Sequence, residues 1–81
     1  MSNTIDTLAA KLAEDTMKVM DQTGEDRLYV EVGNVLAAAS QSLEEAYLTE
    51  VRVRLAERVA RKFLIKKATE FKAAKEAKQA Q

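Results

Sequence analysis

From Ser42 to Lys78 the chain carries neither glycine nor proline, and proline is absent from all 81 residues. Nothing in that stretch resets φ or removes a backbone donor, and it is rich in Ala, Leu, Glu, Lys and Arg. One regular structure suits it, a single long helix. The alternation in Val51-Arg52-Val53-Arg54-Leu55 also fits a strand, but the helix formers on either side outweigh it. Ser42-Leu43-Glu44-Glu45 has the form of a capping box, serine at the cap and glutamate three residues on. The helix is therefore expected over about residues 43–72. Past Phe71 no large apolar residue remains, so residues 73–81 are expected to form a frayed or disordered polar tail.

Upstream, Asn3 is a suitable N-cap, and Asp6 adds a carboxylate to the first turn, where the helix dipole favours it. Ile5, Leu8, Leu12, Ala13, Met17 and Met20 recur at helical spacing, within an arc of roughly 180° that also holds Thr16. An amphipathic helix over about 4–22 follows. Gly24 permits the positive φ of a helix stop, and Thr23 with Asp26 resembles a second capping box. Leu28, Tyr29, Val32, Val35, Leu36 and Ala39 then form a stripe roughly 120° wide, which predicts a helix over about 26–39. Leu28 to Val32 alone would also suit a strand, but no convincing partner strand is visible. Gly33 lies off the stripe and is either a tolerated weak point or the site of a close helix crossing. Ser40-Gln41-Ser42 is the expected break before the long helix, with a kinked continuous helix as the alternative.

The fold class is thus all-α: a small three-helix protein, two short amphipathic helices packed on one long C-terminal helix. Cysteine and histidine are both absent, and there are only two glycines. That removes disulfides, thiolate metal sites, an imidazole proton shuttle and any glycine-rich phosphate loop. No apolar run approaches the ~20 residues of a membrane span, and no basic-then-apolar leader opens the chain. A soluble cytoplasmic protein is the expectation.

The formal net charge is zero, yet the charges are sorted along the chain. Residues 1–50 hold three bases against ten acids, and residues 51–81 hold ten bases against three acids. A helix from Leu43 to Phe71 would run ~44 Å, while the first two would run ~28 Å and ~20 Å. Neither short helix can cover the long one over its whole length. A second copy supplies the missing cover, and antiparallel pairing sets acidic halves beside basic ones. A homodimer is therefore expected.

Two surfaces of the long helix are candidates for function. Leu48, Val51, Leu55, Val59, Phe63 and Leu64 outline an apolar arc which, with its neighbours, spans roughly 200°, more than one packing partner needs. Arg54, Arg58, Arg61 and Lys62, together with Lys72, lie within roughly 100° beside it. The simplest reading of that basic face is a solvated rim, or one answering the chain's own acids. Phosphate binding and an acidic protein partner are its alternatives, although no aromatic side chain is interleaved for base stacking. A membrane-surface role is disfavoured, because tryptophan is absent and the upstream acids repel anionic lipid.

The acidic pairs Glu14/Asp15, Glu25/Asp26 and Glu44/Glu45 point about 100° apart on a helix and do not converge on a metal or a proton. Tyr29 and Tyr47 are expected at the edge of the core with their hydroxyls in water. No serine, threonine or lysine has an identifiable activating partner. The expected function is non-enzymatic, without cofactor, metal or small-molecule substrate. The chain is read as an interaction, adaptor or small regulatory protein that binds itself or a larger protein. The alternative is a nucleic-acid-binding regulator that uses the basic face.

Overall fold

The computed structural model describes Asn3 to Gln79. Three helices make up the fold: α1 (Thr4–Thr23), α2 (Leu28–Ala39) and α3 (Gln41–Gln79). No strand occurs among the described residues, so the two segments with strand-like alternation are both helical. The Asn3 side chain accepts a hydrogen bond from the Asp6 amide at 2.8 Å and caps α1. Gly24 ends α1 in the left-handed region at φ 76°, its amide donating to the Met20 carbonyl at 2.8 Å. A side chain at that φ would be strained, so the glycine is required here.

Both expected capping boxes are replaced by something more local. Thr23 belongs to α1; its hydroxyl donates to the Val19 carbonyl and accepts from the Glu25 amide. α2 begins later than predicted, at Leu28, and no side chain caps it. At the second junction Ser40 does the capping, not Ser42. Its amide donates to the Leu36 carbonyl at 2.7 Å, closing α2. Its Oγ accepts from the Leu43 amide at 3.2 Å and its carbonyl from the Glu44 amide at 3.0 Å, opening α3. One extended residue (φ −158°, ψ 106°) thus serves two helix ends, and Ser42 is absorbed into α3. The tail expected to fray from 73 is helical as far as Gln79; Ala80 and Gln81 lie outside the described residues.

α1 and α3 run side by side in the same direction. Ile5, Asp6 and Ala9 share a groove with Ser42 and Thr49, and Asp21 meets Arg58 further along. Ala9 and Ala13 are fully buried, and their small side chains let α1 approach α3 closely. Thr16, Met17 and Met20 complete the covered face of α1. α2 packs on α3 through Gly33, where an added Cβ would lie 3.3 Å from Leu48 Cδ2. Gly33 is therefore a close crossing point. The approach turns Gly33 inward and leaves Val35, part of the predicted stripe, 72% exposed.

Among the described residues, Tyr47 and Val51 are the two large side chains with no exposure at all. Tyr47 was expected at the core edge with its hydroxyl in water. Instead it stands between the helices, its hydroxyl 3.1 Å from the Tyr29 carbonyl and 3.4 Å from Thr16 Oγ1. Thr16 in turn donates to the Leu12 carbonyl at 2.8 Å, so no buried side-chain polar atom among the described residues lacks a partner. A core this small supports only modest stability.

The core is confined to one end of the molecule. From Ala56 to Gln79 every residue of α3 is exposed. The radius of gyration is 18.3 Å, against about 12 Å for a compact chain of this length. The extents of 64 × 32 × 14 Å describe a flat three-helix head with one helix projecting from it.

Candidate functional site

The six residues of the predicted apolar interface divide between head and projection. Val51 is fully buried, and Leu48 and Leu55 are half-buried against the same core. Val59, Phe63 and Leu64 are 70%, 62% and 62% exposed. The structure therefore does not gather the six into one surface. The change has a rotational cause. At 100° per residue, Tyr47 and Val51 face one side of α3, while Ala60, Leu64 and Phe71 face nearly the opposite side. The apolar stripe swings around the helix as it leaves the head.

The exposed set is larger than the one predicted. Val53, Ile65 and Phe71 join it at 60%, 58% and 73% exposure. Phe71 and Val53 are legible in the sequence, since both fall at helical spacing beside Leu64. Ile65 is not, because it lies among lysines and continues the covered side of the head. Lys67 lies against this region, its ammonium 5.8 Å from the Phe63 ring centroid and 3.7 Å from Glu70.

Much of the predicted basic face is engaged with acids of the same chain. Arg54 donates to Glu50 Oε1 at 2.9 Å and to the Glu50 carbonyl at 3.0 Å. Arg61 donates to Glu57 at 2.6 Å. Arg58 crosses to α1 and makes a bidentate pair with Asp21 at 2.8 and 2.9 Å. That hydrogen-bonded guanidinium holds the Asp21 carboxyl below its usual range, and the carboxylate raises Arg58 in return. Lys62 has no ion-pair partner among the described residues, and the same holds for Lys66, Lys72, Lys75 and Lys78.

Along the α1–α3 seam lies an open groove of about 270 Å³, with Glu14, Met17, Lys18, Arg54, Glu57 and Arg58 around it. Glu14 lies 3.7 Å from Lys18, and Glu57 is held by Arg61, so the groove is a lattice of ion pairs over a methionine floor. Among the described residues no cluster of acids could hold a metal ion, and no helix is long and apolar enough to cross a membrane. The distinctive feature is the projecting half of α3, where exposed apolar side chains and lysines alternate around the helix. Compared with known proteins, the chain matches no family model, no curated protein and no solved structure.

Proposed function

We propose that this is a non-enzymatic interaction protein whose working surface is the projecting half of α3. The observation that carries this reading is the exposure of Val59, Phe63, Leu64, Ile65 and Phe71, each at least 58% exposed on a stretch of helix that nothing else among the described residues covers. Apolar side chains grouped on one projecting helix are a costly surface to leave in water, and an amphipathic helix is a common docking element. The head presents that helix, and the lysine rim keeps it soluble and orients what binds. A homodimer is the simplest assembly that covers it. The test compares the full chain with the double variant Phe63→Glu/Phe71→Glu. Both should show the same thermal unfolding of the head in dilute protein. Self-association by sedimentation, and any complex with another protein, should be lost in the variant alone. Association that is indifferent to both substitutions would end this reading.

A second reading, nucleic-acid binding, is favoured by the lysines at 62, 66, 72, 75 and 78, which have no acid partner among the described residues. Against it stands the engagement of Arg54, Arg58 and Arg61 with carboxylates. Titration with duplex DNA and with RNA decides it. Phosphate binding must be measurable at low salt and fall steeply as salt rises.

A further inference from the structure

We infer that the side of α3 carrying Ala60, Leu64 and Phe71 is covered by a second copy of the chain, running antiparallel, with the two-fold axis beside Ala60 and each projection lying along its partner's acidic head. This rests on the interaction reading above and supplies its partner and register. Three observations converge on it.

The first is area. A folded monomer of 9.0 kDa exposes about 4,900 Å², whereas this chain exposes 6417 Å². The excess of roughly 1,500 Å² is more than the ~800 Å² per partner that a stable interface removes.

The second is charge. Residues 41–50 of α3 carry three acids and no base, and residues 61–79 carry seven bases and two acids. Parallel pairing would set like charge on like along the whole helix. Antiparallel pairing of the projections alone would set one basic segment on another. Only antiparallel overlap of the entire helix places acidic segment against basic segment at both ends. The midpoint of Gln41–Gln79 is Ala60.

The third is shape. Thr49, Val53, Ala56, Ala60, Leu64 and Phe71 fall within an arc of about 80°, nearly opposite the side that holds Tyr47 and Val51. All six are exposed. In the register centred on Ala60, Leu64 of one copy meets Ala56 of the other and Phe71 meets Thr49. Large side chains thus face small ones, which lets the helices approach closely. Ala60 faces Ala60, and Val53 faces the aliphatic stem of Lys67.

The chain has no cysteine, so single cysteines report the register directly. Ala60→Cys, Lys67→Cys and Thr49→Cys are each oxidised in the full-length protein at mid-micromolar concentration. A disulfide needs Cα atoms within about 7 Å. Ala60→Cys should form a covalent dimer and the other two should not, since the two Lys67 positions would lie about 21 Å apart. Added salt should weaken the dimer, because opposite charges meet. A dimer through Lys67→Cys, strengthened by salt, would mean that only the projections pair, and one through Thr49→Cys would mean parallel helices; either overturns the register. A chain that sediments as a monomer at high micromolar concentration and forms no covalent dimer overturns self-association altogether. That last result leaves the interaction reading to stand or fall on the Phe63→Glu/Phe71→Glu comparison.

Discussion

Arg58 of α3 grips Asp21 in the last turn of α1, with two guanidinium nitrogens donating to the two carboxylate oxygens at 2.8 and 2.9 Å. The pair sits just past the end of the core and fixes where α1 stops riding on α3. It is solvent-exposed, so its effect on stability is small and screened by salt. Its pH dependence has a definite sign. Asp21 is held below the usual carboxylate range in the fold, so its contribution is present at neutral pH and lost as pH falls below about 4. Asp21→Asn should lower the unfolding midpoint slightly at pH 7. The difference from the parent should shrink on acidification and with added salt. A midpoint difference that grows as pH falls would show that Asp21 acts otherwise.

Gly33 marks the nearest approach of α2 to α3. An alanine Cβ there would press on Leu48 Cδ2 at 3.3 Å, the far end of a half-buried side chain that has room to move. Alanine gains about 0.8–1 kcal/mol of helix propensity over glycine, which offsets that small shift. Gly33→Ala should therefore be neutral or slightly stabilising in denaturant titration. Gly33→Val adds branched bulk against both Leu48 and Tyr47 Cε2 and should destabilise by about 1–3 kcal/mol. Equal destabilisation by both would mean that the crossing tolerates no Cβ at all.

Tyr47 links all three helices from a fully buried position. Tyr47→Phe keeps the ring and removes the hydroxyl that reaches the Tyr29 carbonyl, so a loss of about 1 kcal/mol is expected. Tyr47→Ala removes the largest side chain of a small core and should cost about 3–5 kcal/mol, enough to threaten the fold. Burial pushes the Tyr47 phenol above its usual range, so the folded state resists its ionisation. Stability of the parent should accordingly decline as pH rises past about 10, where the unfolded phenol ionises and the folded one does not. Tyr47→Phe should flatten that alkaline decline, as thermal melts across pH 8–11 would show.

How far the fold could be read in advance depended on whether a signal was local. Asn3 and Gly24 act within one turn of chain, and the structure uses both as their chemistry dictates. Ser40 was harder to place. Ser42 offered the better capping-box pattern, but a single extended residue was enough to turn α2 into α3. Tyr47 was misplaced because its partners, Thr16 and the Tyr29 carbonyl, come from the other two helices. The apolar arc showed that α3 had more surface than the head could cover. Periodicity alone does not show which part of a continuous arc a neighbour takes. Val51 went to the core and Phe63 to water because α1 and α2 end where they do. Asp21 carried no signal of its pairing with Arg58, thirty-seven residues away.

The projection itself gives the clearest separation between the monomer and any assembly. From Ala56 onward α3 contributes no buried residue, so a chain ending at Arg61 keeps the whole core and the Asp21–Arg58 pair. In dilute protein its stability should match that of the full chain to within about 0.5 kcal/mol. An isolated helical segment of this length is marginal in water, so residues 62–79 of the dilute full chain should exchange their amide hydrogens quickly. Raising the concentration should change only the longer protein. Its unfolding midpoint should climb as self-association stabilises the folded state, and amide protection should spread along the projection. The shortened chain should show no concentration dependence. If shortening destabilises the dilute protein by several kcal/mol, the projection supports the head directly and is not held free for a partner.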